Sequence, residues 1–159
     1  MTIIEAIKRA QQTAPVNVEG LARDLGVRVT YPWVDDDISG ELRRMSGDKF
    51  EISVNGTHAP TRRRFTLAHE LGHFIYHRDL IGDGVDDNRA YRRTSTARYA
   101  LTRIGTHEET EANRFAANLL MPMHLINQLR GEGLTRQQMA KRLEVSEHAL
   151  AIRLGESYP

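Results

Sequence analysis

The apolar positions of this chain fall into blocks whose period runs from helical to alternating and back to helical. Between Thr2 and Thr13, Ile3, Ile4 and Ile7 share one side of a helix, which Pro15 ends. Val18 to Leu25 predicts a second short helix closed by Gly26 in the capping position. VEGLARDLGV has the outline of half a helix-turn-helix, but two packing helices ahead of a strand is the preferred reading. Val27 to Trp33 alternates, and Ile38 to Met45 and Phe50 to Val54 flank the turn signal Ser46-Gly47-Asp48. Residues 27–55 are therefore expected to form a three-stranded, mostly antiparallel sheet with Phe50 to Val54 at an edge. Asn55-Gly56 and Pro60 lead into a helix over 61–78, with Thr61 as its expected N-cap. Phe65, Leu67, Ala68, Leu71, Gly72, Phe74 and Ile75 make that helix apolar almost all round, so it belongs in a core.

The second half is helical after an irregular stretch. Asp79 to Thr106 opens acidic and glycine-bearing, then turns basic through Arg89, Arg92, Arg93, Arg98 and Arg103 with Tyr91 and Tyr99 interleaved. A loop of that length is expected to be either a lid or a mobile insertion. Thr106 to Met121 predicts a helix with a Thr106/Glu109 capping box and a core face of Ala112, Phe115, Ala116 and Leu119. Pro122 breaks it. Met123 to Leu129 follows, ended by Gly131 and Gly133; Thr135 with Gln138 caps the next helix; Val145-Ser146 turns into a last one, Glu147 to Leu154. The expectation is one α+β domain over 1–159: helices in 1–26, the sheet in 27–55, the buried helix in 61–78 and a helical bundle in 107–159.

Composition narrows the class. With 159 residues, 40% hydrophobic and 27% charged, the chain fits one ordinary globular domain. A net charge of +1 gives no reason to expect direct contact with nucleic acid. The absence of cysteine removes disulfides, thiolate ligands and a thiol nucleophile. MTIIEAIKRAQQ breaks its apolar residues with charges, unlike a signal peptide, and no segment has the apolar length of a membrane span. A cytoplasmic protein is expected.

The chemistry concentrates in FTLAHELGHFIYH. His69, Glu70 and His73 form an H-E-x-x-H pattern, expected by chance on the order of once in a hundred proteins of this length. Residues four apart share a helix face, so the two imidazoles can hold one metal ion, with Glu70 beside them as a base for a metal-activated water. His77 extends the polar stripe. Burying such a stripe is costly without partners. Arg62, Arg63 and Arg64 crowd the start of the helix against its dipole and are expected to meet acidic groups or substrate. His58, His107, His124 and His148 lack ligand spacing and read as ordinary residues.

A catalytic zinc requires a third protein ligand. Tyr76 and Asp79 occupy the places where an extended H-E-x-x-H-x-x-G-x-x-H motif has glycine and histidine, so that variant is excluded. The best source is HEETEANRFAANLLMP, in which Glu109 and Asn113 lie four apart on one face. Glu109 is then a ligand and Asn113 a group that orients a histidine. Glu108 and Glu111 compete for the role; Glu111 turns furthest from the core face and ranks below Glu109 as a solvent-facing side chain. Glu109 also has a purely structural alternative, as a capping carboxylate.

RRRFTLAHELGHFIYH followed by ETEANRFAANLLMP resembles the ImmA/IrrE family of bacterial and phage metallopeptidases, and LTRQQMAKRLEVSEHALAIRLGE resembles that family's closing helices. The likeness covers Phe50 to the end. It implies a minimal zincin-like fold and a zinc endopeptidase, with His69, His73 and Glu109 as metal ligands and Glu70 as general base. It also implies a protein substrate, a helix-turn-helix repressor or partner regulator of a phage, mobile element or stress regulon. The oxyanion donor stays open among Tyr91, Tyr99, His77 and a loop arginine. Two other classes remain: a latent or inactive zinc-bearing toxin or partner-binding protein, and a DNA-binding regulator using the Ala140, Val145-Ser146, Ala149 layout of the tail, in which Glu144 stands at the usual turn glycine.

Overall fold

A computed structural model describes residues 1–34, 37–82 and 104–158. Helix α1 (Ile3–Ala10) starts at Thr2, whose hydroxyl accepts from Glu5 N at 3.1 Å while the Glu5 carboxylate accepts from Thr2 N at 2.8 Å. That reciprocal pair satisfies two otherwise orphaned amides. Helix α2 (Val18–Asp24) is capped by Asn17 Oδ1, which accepts from Gly20 N at 2.9 Å. Gly26 beyond it adopts φ 76°, a conformation glycine takes without a Cβ clash.

Strands β1 (Val27–Thr30), β2 (Gly40–Arg44) and β3 (Phe50–Val54) form a sheet in the order β1-β3-β2. β1 pairs with β3 in parallel, Val27 opposite Phe50; β2 pairs with β3 antiparallel, Gly40 opposite Val54. The fold is α+β, as expected, but the sheet is evenly mixed. The expected edge position of Phe50 to Val54 is wrong: β3 is the central strand, and β1 and β2 are the edges. Phe50, Ile52 and Val54 are all buried, together with Leu42 of β2, and so much apolar surface requires neighbours on both sides. Asn55, just past β3, is also buried and holds the entry of β2, Nδ2 donating to Ile38 O at 2.9 Å.

Helix α3 (Pro60–His77) packs on the sheet. Its N-cap is Ala59, with no side-chain cap, so Thr61 is not the cap that was expected. Pro60 occupies the first helical position, where its missing N–H would have had no intrahelical partner and its fixed φ suits the turn. Gly40 lets β2 approach: a Cβ there would lie 2.6 Å from Thr66 Cγ2 and 2.8 Å from Ser53 O. A short turn, Arg78–Leu80, follows α3. Of the stretch Asp79 to Thr106 and its lid-or-insertion alternatives, residues 83–103 lie outside the described residues, Tyr91 and Tyr99 among them.

Helix α4 (Thr106–Leu120) lies against α3, and α5 (Met123–Gly131), α6 (Arg136–Leu143) and α7 (Glu147–Leu154) follow. The cap of α4 sits one residue earlier than the T-x-x-E pattern implied. Gly105 is the N-cap, and Glu108 Oε1 accepts from its amide at 2.8 Å. Leu67, Ala68 and Leu71 of α3, Ala116, Leu119 and Leu120 of α4, and Leu125, Ile126 and Leu129 of α5 join the sheet's apolar face in the core. Gly72 permits the close crossing of α3 and α4: a Cβ there would meet Phe115 Cδ1 at 3.1 Å and Ala112 Cα at 3.2 Å.

Candidate metal centre

Spacing of four along α3 puts His69 and His73 one above the other, and the close crossing at Gly72 brings α4 to them. The two Nε2 atoms are 3.1 Å apart. Glu109 completes the group, with Oε2 at 3.4 Å from His69 Nε2 and Oε1 at 2.6 Å from His73 Nε2. The side chains are 13%, 0% and 17% exposed for His69, His73 and Glu109, so three donors meet where water is largely excluded.

This donor set fits a small divalent ion. Two ligands about 2.0–2.1 Å from a tetrahedral ion stand about 3.3 Å apart, and the 3.1 and 3.4 Å separations match that spacing. The 2.6 Å separation is a hydrogen bond between His73 and the carboxylate. Burial would raise the Glu109 carboxyl, but the hydrogen bonds from His69 and His73 outweigh it and hold the group well below the usual carboxylate range.

The outer nitrogens of both rings are engaged as well. His69 Nδ1 lies 2.8 Å from Asn113 Oδ1. An amide oxygen only accepts, so Nδ1 carries a proton and the inward Nε2 is the atom left to face a metal. The contact expected between Asn113 and a histidine is thus present, one helical turn after Glu109. His73 Nδ1 lies 2.9 Å from His77 Nδ1, and His77 Nε2 lies 2.9 Å from Glu111 Oε1.

Glu70 is 2% exposed and borders a cleft of about 240 Å³ with Ser39, Gly40, Arg62, Phe65, Thr66, His69, Glu109 and Asn113. The base expected from the motif, two of the three donors, His69 and Glu109, and the N-terminal end of strand β2 therefore share one hollow, while His73 is buried beside them. Arg62 is on its wall, with Nη2 donating to Ser39 Oγ at 3.1 Å. Arg64 turns elsewhere and donates to Val16 O at 2.9 Å; burial lowers its pKa.

Two placements differ from expectation. His77 does not border the cleft; it is 4% exposed and stands behind His73. Glu111 is not simply solvent-facing, since it receives His77, and that hydrogen bond holds its carboxyl below its ordinary pKa. His77 had a signal in the sequence, being four residues past His73, but Glu111 had none, because its partner lies 34 positions away. Glu108 belongs to the helix cap, which frees Glu109 from that role. His107, Glu108 and Glu111 also stand within reach of one ion, but on the exposed end of α4. His124 meets Gln11 O at 2.9 Å, and His148 stacks on Tyr158. Among the described residues no helix is long and apolar enough to cross a membrane.

Residues 22–155 match the model of a peptidase family described as the IrrE N-terminal-like domain. The chain is similar to the radiation response metalloprotease IrrE of Deinococcus radiodurans, at 36% identity over 112 residues, 68% of this chain and 31% of that protein. It is also similar to the protein of the same name from Deinococcus deserti, at 35% identity over 109 residues, 66% of this chain and 36% of that protein. The chain spans about a third of the length of these curated relatives.

Proposed function

The chain belongs to the IrrE N-terminal-like domain family, and from that premise we propose that it is a zinc-dependent endopeptidase whose metal is held by His69, His73 and Glu109. The observation that carries this reading is the convergence of His69 Nε2, His73 Nε2 and the Glu109 carboxylate from two helices, beside the buried Glu70. Two imidazoles and a carboxylate are the donors zinc takes in a hydrolase, and no cysteine competes.

Zinc bound there would bring the pKa of a water near 7 and polarise the scissile carbonyl. The protein supplies the rest. Glu70, in the cleft wall, takes the proton of the attacking water and passes it to the departing amine. Asn113 fixes the His69 tautomer. The substrate lies extended in the cleft along β2, whose outer edge is not taken up by β3, and pairs with it through main-chain hydrogen bonds. Arg62 on the cleft wall is positioned to steady a carbonyl oxygen or an acidic side chain of that substrate.

The substrate in this reading is a protein, a helix-turn-helix repressor of a phage, mobile element or stress regulon. The family resemblance and the relatives' radiation-response name support it. The test combines metal analysis with incubation of the purified protein and the repressors encoded beside it. One bound zinc and cleavage abolished by chelation are expected. Glu70→Gln should retain zinc and lose about 100- to 10,000-fold in cleavage rate. Wild-type cleavage by that variant removes Glu70 as the base, and bound zinc without cleavage of any repressor removes this substrate class.

A further inference from the structure

Resting on the proposed zinc site, we infer that His77 and Glu111 form a positioning relay for His73, holding the tautomer and ring orientation that this ligand needs. His73 is fully buried, and its two ring nitrogens face in opposite directions. Nε2 looks toward Glu109 and His69, and Nδ1 looks toward His77.

The direction of each hydrogen bond follows from counting protons. A neutral imidazole carries one N–H, and a ring that ligates through Nε2 carries it on Nδ1. Once zinc takes the place of the hydrogen bond between Nε2 and Glu109, the proton of a neutral His73 is on Nδ1, which donates across 2.9 Å to His77 Nδ1, and that nitrogen must accept. The single proton of His77 is then on Nε2, where it donates across 2.9 Å to Glu111 Oε1. The carboxylate at the end only accepts. Two neutral rings and one carboxylate thus fix a single proton arrangement, with each donor facing an acceptor.

A carboxylate placed directly behind His73 would be buried with it and pay the desolvation of a full charge. The interposed imidazole avoids that. His77 is 4% exposed, while Glu111 is 40% exposed and also has His107 Nε2 at 3.5 Å, so the charge stays in contact with water and its polarisation reaches a ligand that is not. Among the described residues, His69 Nδ1 meets Asn113 instead, a neutral amide, consistent with the greater exposure of His69. The two histidines are therefore oriented by different devices, and the one behind His73 ends in a carboxylate.

The experiment measures zinc affinity by chelator competition in the full chain, alongside the His73 tautomer by long-range proton–nitrogen correlation in the zinc-loaded protein. Glu111→Ala is the main variant, because a half-exposed position tolerates truncation; His77→Phe and His77→Gln are its companions. Expected are a loss in zinc affinity of about 10- to 100-fold for Glu111→Ala and His77→Phe, and partial recovery in His77→Gln, whose amide oxygen can accept from His73. A broadened or mixed His73 tautomer should accompany the losses. Unchanged affinity in Glu111→Ala overturns the relay while leaving the zinc site standing. So does a loss in His77→Phe that merely follows a drop in folding stability and is not recovered by glutamine. A wild-type chain that binds no zinc sinks the site and the relay together.

Discussion

The seam between α3 and α4 and the pair α6–α7 use polar side chains in opposite ways. In α6–α7 the capping groups act close to home. Thr135 and Gln138 cap α6 reciprocally, Ser146 Oγ accepts from Ala149 N at 3.0 Å, and Glu144 turns the chain in the left-handed region at φ 55°. Leu143 and Leu150 fill the interior with no polar company among them. In the seam, His69 finds Asn113 across 44 positions, His73 finds Glu109 across 36, and His77 finds Glu111 across 34, in or near the core. Caps at a surface stabilise helices at small cost, whereas buried ionisable groups carry a desolvation penalty that well-packed apolar residues would avoid. That the penalty is accepted in one place and avoided in the other is what the proposed metal site in the seam accounts for. The helix-turn-helix outline of the tail fits the same contrast. α7 carries one arginine, Arg153, and it donates inward to Met121 O at 3.0 Å, which leaves the helix without a basic row for phosphates.

Neighbouring glutamates offer the sharpest break of this comparison. Glu109→Ala should cost more than the about 100-fold in zinc affinity typical of a residue behind a ligand. Glu108→Ala should leave zinc binding intact and lower stability by about 1 kcal/mol through loss of the cap. Chelator competition and denaturant unfolding on both variants would read the difference, and equal zinc losses would mean the wrong carboxylate has been assigned. Leu150→Ala is the counterpart in the apolar region: about 2–5 kcal/mol of stability should go, with zinc affinity of the folded protein unchanged.

Gly72→Ala should join the two effects. Its methyl group presses on Ala112 Cα and Phe115, so about 1–3 kcal/mol of stability and part of the zinc affinity should fall together as α3 and α4 are pushed apart. The smallest effect is expected away from both regions. Burial first, then the hydrogen bond from its hydroxyl to Glu19 at 2.9 Å, push the Tyr31 phenol up to about 12. A raised pKa favours the protonated form, so the contribution is present below the ordinary value near 10 and is lost as pH rises through about 12. Ultraviolet titration should show one tyrosine ionising near pH 12, and Glu19→Gln should bring it down.

Much of the helical framework was legible. The expected boundaries of α2 and α7 and all of β3 fall within a residue or two of those observed, as do the Thr135/Gln138 cap and the turn at Val145-Ser146. Periodicity and caps are local, and a stretch of a few residues carries them. The sheet was less legible, because pairing order depends on which strand has two neighbours, and alternation in one strand says nothing of that. The cap of α4 was misplaced by one residue because T-x-x-E and G-x-x-E overlap there, and only the observed bond from Gly105 N to Glu108 separates them.

The sequence by itself determined that two imidazoles stand on one face of an apolar helix with a carboxylate beside them, because a spacing of four is a property of the helix alone. It also determined that a second helix bears three glutamates near its start. The tertiary structure decided which of the three faces the imidazoles, which caps the helix and which receives His77. That choice depends on the rotation and separation of α3 and α4 at Gly72, a contact between residues 40 positions apart that no local pattern encodes.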